Sequence, residues 1–105
     1  MVFVVSFSTT ATAQQYFTYD GEQFNVYLKT NTNNTQVLEV SFTDAAKTKW
    51  IKFNIVKYYD VSDGFGYVVD DGVGQRFGLD YYGYGDYILV RNISTGYQWT
   101  LYRRQ

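Results

Sequence analysis

The fold of this chain is decided by the stretch QYFTYDGEQFNVYLKT, residues 15–30. In its second half Phe24, Val26 and Leu28 share one face and alternate with more polar residues, which is the two-residue period of a half-buried β-strand. The first half alternates in the same way. Asp20-Gly21 separates the halves, and this dipeptide tolerates the positive φ angles of a type I′ turn. The stretch therefore predicts a β-hairpin.

The same pattern continues to the end of the chain. Six more alternating runs follow, separated by short polar loops that include Asp71-Gly72 and Ser94-Thr95-Gly96. No run longer than a turn has helical periodicity, and proline is absent. The spacing predicts an all-β domain of about eight short antiparallel strands in an up-and-down meander. We expect it to close as a small barrel, because closure hides strand edges; a β-sandwich is the alternative.

Alternation also predicts which side chains face the core in the two longest runs. In QVLEVSFT (36–43) it places Leu38 inside together with Val40 and Phe42. In KWIKFNIVKYY (49–59) it places Tyr58 outside, on the face of Trp50 and Lys52. The lysines and aromatics of this run also resemble a single-stranded nucleic-acid surface. An amphipathic strand is the preferred interpretation, because the chain has nine basic residues against ten acidic ones.

Composition excludes several classes of protein. The chain has neither Cys nor His, which removes disulfides, thiolate metal sites, cysteine nucleophiles and the commonest general base. A carboxylate pair of the glycosidase kind is the remaining enzymatic option, but Glu22 and Glu39 lie far along the chain from the aspartate-rich loops. A net charge of −1 argues against nucleic acid and anionic membrane as partners. We therefore expect no enzymatic activity and no cofactor.

The N-terminal residues 1–13 are predicted to be the remnant of a secretory signal peptide. A short apolar run is followed by Ala11-Thr12-Ala13 before Gln14, which is an A-x-A cleavage pattern. No Lys or Arg precedes the apolar run, so the alternative is an extra first strand. The run is far shorter than the ~20 residues of a membrane-spanning helix. We expect residues 14–105 to form a single domain that is secreted, periplasmic or at the cell surface.

The candidate ligand site lies in the stretch FGLDYYGYGDYILV, residues 77–90. Tyrosine offers a flat apolar face and a hydroxyl, which suits sugar rings and partner proteins, and carboxylates accept hydrogen bonds from sugar hydroxyls. The predicted ligand-binding residues are Asp80, Tyr81, Tyr82, Tyr84, Asp86 and Tyr87. The alternative is that Gly83 and Gly85 form a hairpin loop whose tyrosines cover the barrel. Trp50 and Trp99 are expected in the core or as barrel plugs.

A lesser candidate is a calcium site at Asp60, Ser62 and Asp63 in DVSDGFG (60–66). The spacing departs from an EF-hand at the fifth position and at the glycine. Because neighbouring hairpin turns project from alternate ends of a meander, we expect this turn to lie at the same end as the Tyr81–Asp86 turn. Asp71-Gly72 should lie at the other end.

These features predict a non-enzymatic, exported binding or interaction module that uses its Tyr/Gly/Asp-rich loops, with a glycan or a partner protein as ligand. The alternative is a structural subunit of a cell-surface or extracellular assembly. Its subunits would be joined through strand edges or through the N-terminal segment, and the assembly could be a homo-oligomer.

Overall fold

The computed structural model describes residues 14–44, 46, 49–83 and 85–104, so the N-terminal residues 1–13 and the two alternatives predicted for them lie outside the described residues. Each strand pairs antiparallel with the next, and β8 pairs with β1. The eight strands are β1 (Gln15–Asp20), β2 (Phe24–Thr30), β3 (Val37–Asp44), β4 (Trp50–Val61), β5 (Gly64–Asp70), β6 (Arg76–Tyr81), β7 (Tyr87–Asn92) and β8 (Gln98–Arg103). The predicted up-and-down barrel is confirmed, and the sandwich alternative is wrong. The described part of the chain contains no helix with the length and apolarity needed to cross a bilayer.

The barrel interior is filled by one core to which every strand contributes. Side chains with 0–1% exposure include Tyr19, Leu28, Leu79, Ile88 and Leu101. Burying one such aliphatic side chain stabilises the fold by roughly 1.5–3 kcal/mol. The inward positions are those that the alternation of Phe24, Val26 and Leu28 predicts for β2, where Val26 and Leu28 are fully buried.

A bulge between β2 and β3 overturns the predicted position of Leu38. Lys29 pairs with Glu39, but Thr30 pairs with Val37, so the register shifts by one residue there. The shift turns Val37 into the core at 1% exposure and leaves Leu38 outside at 36%. An inserted residue reverses the alternation on one side of a bulge.

A second bulge, in β4, changes the face of the sheet on which Tyr58 lies, although its side chain is exposed as predicted, at 62%. Ile55 pairs with Val69 and Lys57 pairs with Val68, so Val56 is the extra residue. Tyr58 is consequently paired with the buried Tyr67 and meets its ring edge-on at 5.4 Å. Tyr58 therefore does not share the outer face with Trp50.

The turns project from the two ends as predicted. The connections after β1, β5 and β7 lie at one end, which we call the mouth end, and those after β2, β4 and β6 lie at the opposite end. There a Cβ on Gly64 would lie 2.5 Å from the carbonyl oxygen of Tyr81, and Gly83 lies against the carbonyl of Asn34. The opposite end is therefore covered by its own loops in mutual contact.

The two Asp-Gly turns work differently from each other. Gly72 adopts a φ of 88°, as a turn glycine is expected to do. Gly21 does not adopt a positive φ; a Cβ there would lie 2.8 Å from the carbonyl oxygen of Phe24, and its N–H donates to that oxygen at 3.1 Å. The predicted hairpin is present, but Gly21 is required for a close approach rather than for a type I′ turn.

The outer wall of β4–β6 is fastened by Tyr59. Its ring lies across Gly66, where a Cβ would overlap the ring, and its hydroxyl donates to Asp80 Oδ1 at 2.5 Å. The same hydroxyl lies beside Gly78, where a Cβ would be 3.1 Å away. Burial, and then the hydrogen bond to Asp80, raise the pKa of Tyr59 above its ordinary value.

Three tyrosines, Tyr19, Tyr67 and Tyr81, are buried to 1% exposure inside the barrel. The Tyr67 hydroxyl accepts a hydrogen bond from the Val37 N–H at 2.9 Å. Burial is the main cause that raises the pKa of all three phenols, because a phenolate would be formed in an apolar interior.

These raised pKa values predict alkaline unfolding. The unfolded tyrosines ionise near pH ~10 while the buried ones stay protonated, so their contribution is complete below pH ~10 and is lost as pH rises above it. Each buried tyrosine adds up to about 1.4 kcal/mol per pH unit to the decline. Urea unfolding at a series of pH values measures this decline in the free energy of unfolding. The free energy of unfolding of the Tyr19→Phe variant should decline less steeply with pH than that of the unmodified protein. Identical slopes would contradict the assignment of the decline to the buried tyrosines.

Candidate functional site

Five aromatic side chains converge at the mouth end of the barrel. They are Phe24, Phe42, Phe53, Phe77 and Trp99, and we call them the aromatic mouth. The ring of Phe42 is at their centre: its centroid lies 4.4 Å from that of Phe53, 5.2 Å from that of Phe77 and 5.4 Å from that of Phe24. Phe42 and Phe53 are buried, whereas Phe24, Phe77 and Trp99 are half-buried. The cluster is continuous with the core below it.

Trp99 completes the cluster between Phe24 and Phe77. Its ring meets Phe24 edge-on at 5.1 Å and stacks on Phe77 at 6.2 Å. Its indole Nε1 donates to Gln23 Oε1 at 3.3 Å, and Tyr97 meets the same ring at 4.8 Å. The tryptophan is therefore held in position from both sides, and Trp99 plugs the mouth as expected.

The aromatic mouth forms the floor of a cleft of about 470 Å³. That volume lies within the ~300–1,000 Å³ of typical small-molecule sites, which also occur at the mouths of β-barrels. Its rim is mostly polar and consists of Thr43, Asp44, Lys49, Ile51, Asp71, Gln75 and Asn92. An apolar floor below a polar rim can hold an apolar group and orient a polar one.

Two of the rim loops, those after β5 and β7, are fixed by side chains that bond to their own backbone. Asp71 Oδ1 accepts from the N–H groups of Val73 at 2.9 Å and of Gln75 at 3.0 Å. Asn92 Oδ1 accepts from Ser94 and Thr95 in the same way. Such Asx turns stabilise tight loops locally. On these two sides the cleft is therefore bordered by short, internally bonded loops.

A charge pair stiffens the β5–β6 side of the mouth. Arg76 Nε donates to Asp70 Oδ2 at 2.8 Å. This hydrogen bond and a second one from the Gly72 N–H hold the pKa of Asp70 below its usual value. Asp70 is therefore an acceptor within the hairpin, while Asp71 and Gln75 line the cleft itself.

The structure separates the residues predicted as a ligand site in the β6–β7 turn. Tyr81 is the last residue of β6, faces inward opposite Phe65 and Ile88, and is 1% exposed. Its predicted role at the binding surface is therefore wrong, because strand alternation turns it into the core. Asp80 faces the outer wall, where it accepts from Tyr59.

The remaining residues of this turn stay together at the opposite end. Tyr82 and Tyr87 lie with ring centroids 5.4 Å apart, and Tyr87 is 36% exposed. The exposed Asp86 accepts at its backbone carbonyl from the Arg103 N–H at 2.6 Å. Tyr84 lies outside the described residues. Of the predicted site, the described residues that remain together at the surface are therefore Tyr82, Asp86 and Tyr87.

The lesser calcium candidate lies in the β4–β5 turn. Asp60 is the penultimate residue of β4, and Ser62 and Asp63 form the turn, where Asp63 adopts a φ of 63°. Among the described residues there is no group of three or more acidic side chains arranged to hold a metal ion.

The second tryptophan is not where the sequence predicted it. Trp50, the first residue of β4, is 47% exposed on the outer wall, so its expected place in the core is wrong. It lies beside Tyr27, with ring centroids 5.5 Å apart. It is paired with Thr43 of β3, which is buried.

Comparisons of the chain with protein-family models, with curated proteins and with solved structures find no significant match.

A pair of tyrosine substitutions tests the assignment of core and surface. Tyr81→Ala removes a fully buried ring, and we expect a loss of about 3–5 kcal/mol in the free energy of unfolding. Tyr87→Ala removes a partly exposed ring that contacts Tyr82, and we expect a loss of about 1 kcal/mol or less. Urea denaturation measures both. Equal losses would contradict the inward position of Tyr81.

Proposed function

We propose that this protein is a non-enzymatic binding module whose ligand site is the aromatic mouth. The ligand is a small apolar molecule that carries a ring, or the equivalent side chain of a partner protein. The observation that carries this proposal is the cleft of about 470 Å³ with five aromatic side chains at its floor. Export is part of the proposal and is supported by the Ala11-Thr12-Ala13 pattern before Gln14.

Aromatic faces favour this class of ligand for a physical reason. Rings prefer offset or edge-to-face contacts with other rings, and such pairs contribute about 0.5–1.5 kcal/mol beyond the area they bury. Phe24, Phe77 and Trp99 are half-buried, so they keep surface that a ligand can cover. Asp44, Lys49 and Gln75 at the rim offer one anion, one cation and one amide to a polar substituent.

Binding rather than catalysis is favoured by the chemistry of the rim. The chain contains no His and no Cys, so the rim lacks the side chains that most often act as bases or nucleophiles near neutral pH. Its Asp71 is engaged through Oδ1 with the backbone of its own loop. These features support a site that holds its ligand unchanged.

A pair of charge substitutions on β4 tests the site. Ile51 lines the mouth and is 45% exposed, whereas Val56 on the same strand is 47% exposed and lies away from it. Ile51→Glu should weaken binding of the neutral fluorescent probe N-phenylnaphthylamine by about tenfold or more, because a charge would then lie against the apolar floor. Fluorescence titration measures the affinity.

Val56→Glu is the matched control and should bind the probe like the unmodified protein. Circular dichroism establishes that both variants keep the β-sheet spectrum. Equal weakening by the two substitutions would show that the probe binds elsewhere, and the mouth would lose its proposed role. So would a failure of the unmodified protein to bind the probe at all.

A second candidate function, a structural subunit, is favoured by the β3–β4 boundary. β3 and β4 are paired at four positions, Val40–Thr43 with Trp50–Phe53, whereas β4 continues beyond them to Val61. A groove of about 450 Å³ lies where the strands diverge, lined in part by Val37, Leu38 and Asn54. Strand edges of this kind accept a further strand through backbone hydrogen bonds. We propose that an assembly would be joined here.

The oligomeric state distinguishes the two functions. If the β3–β4 groove joins subunits, size-exclusion chromatography with light scattering should find a discrete oligomer or a filament at micromolar concentration. A monomer under those conditions would contradict the subunit function. The binding function does not require an oligomer.

A further inference from the structure

A second group of aromatic side chains lies on the outside of the barrel, and we call it the outer platform. It consists of Tyr16 on β1, Tyr27 on β2 and Trp50 on β4. The rings of Tyr16 and Tyr27 are nearly parallel, 12° apart, with centroids separated by 5.8 Å. Trp50 follows at 5.5 Å from Tyr27, inclined by 63°. Tyr16 is 54% exposed and Trp50 47%, so both present ring surface to solvent.

The strands beneath hold the outer platform in a fixed arrangement. Thr18 is paired with Tyr27, and Tyr27 is paired with Ser41, so these three side chains form one row across β1, β2 and β3. Paired residues in a sheet point to the same face, and neighbouring strands are about 4.8 Å apart. A cleft of about 430 Å³ opens over this row, lined by Thr18, Tyr27, Ser41, Trp50 and Arg104.

We propose that the outer platform is a carbohydrate-binding site. A sugar ring has an apolar C–H face surrounded by hydroxyl groups, so it needs an exposed aromatic face and, around it, groups that donate and accept hydrogen bonds. Tyr27 and Trp50 supply the faces. The hydroxyls of Thr18 and Ser41 can each donate and accept, and Tyr27 adds a phenolic hydroxyl. These groups line one cleft.

Arg104 adds donors without adding a net charge. Its Nε donates to Asp20 Oδ2 at 3.1 Å and its Nη2 to Asp20 Oδ1 at 2.8 Å, a two-point pairing that neutralises the guanidinium. A guanidinium carries five N–H donors, more than these two contacts use. The paired charge favours a neutral sugar over a sulfated or carboxylated one.

The composition of the cleft favours a sugar over a partner protein. Among the described residues that line it none is aliphatic, and two of the five carry short hydroxyl side chains. The centres of protein interfaces bury a larger and more continuous apolar area. The outer platform is also separate from the aromatic mouth, because Val26 and Leu28, which flank Tyr27 in sequence, point into the core.

Affinity electrophoresis tests the carbohydrate site. Native gels are cast with xylan, galactomannan or mixed-linkage glucan as neutral polysaccharides, with heparin as the anionic comparison and with no polysaccharide as the reference. We expect at least one neutral polysaccharide to retard the protein. Trp50→Ala and Tyr16→Ala should each weaken that retardation by about tenfold or more, because each removes an exposed ring face.

Tyr58→Ala is the matched control, because Tyr58 is an exposed tyrosine outside the platform, at 62% exposure against 54% for Tyr16. It should be retarded like the unmodified protein. The proposal is overturned if no neutral polysaccharide retards the protein, if heparin alone does so, or if Trp50→Ala and Tyr16→Ala migrate like Tyr58→Ala. Circular dichroism of each variant confirms that the barrel is retained; if Trp50→Ala unfolds, Trp50→Leu replaces it in the same comparison.

Discussion

The contact between β8 and β1 is what turns this sheet into a barrel, and it is a short one. Two residue pairs, Tyr19 with Arg103 and Asp20 with Tyr102, form the ladder. The Arg104 N–H adds a bond of 2.8 Å to the Thr18 carbonyl. Hydrogen bonds of this kind contribute about 0.5–1.5 kcal/mol each, and exposed ion pairs such as Arg104 with Asp20 contribute less. Closure must therefore depend chiefly on the core, where Tyr19 and Leu101 are buried on the two sides of the junction.

The two aromatic groups follow from this closed wall. Along β2 the alternation sends Phe24 inward to the mouth and Tyr27 outward to the outer platform. Along β4 it sends Ile51 to the mouth and Trp50 to the platform. Two chemically different surfaces are thus carried by the same strands, one at the end of the barrel and one on its side. At both surfaces the aromatic side chains that a ligand would cover stand on strands.

The sequence predicted the architecture because the relevant signals are local. Alternation along β2 and the spacing of turns were enough for the strand number, the order and the ends from which the turns project. The bulges at Leu38 and Val56 were missed, because an inserted residue is defined by the partner strand and not by its own neighbours. In each of these strands the alternation predicts the correct faces on one side of the bulge and the reversed faces on the other.

The sites show the same division between local and distant information. The inward position of Tyr81 could have been predicted, because Phe77 and Leu79 precede it at the two-residue period of the core face. The prediction instead assigned Tyr81 to the turn because other tyrosines follow it there. The aromatic mouth was not encoded in any one segment. Phe24, Phe53, Phe77 and Trp99 stand on four different strands, and only closure of the sheet brings them to one opening.

The ring of Tyr59 lies across Gly66, and its hydroxyl donates to Asp80, so one side chain links three positions on three strands. A side chain at position 66 would overlap the ring and displace it. The displaced ring would then lose the hydrogen bond from its hydroxyl to the Asp80 carboxylate. We therefore expect substitutions at positions 59, 66 and 80 to be energetically coupled rather than additive.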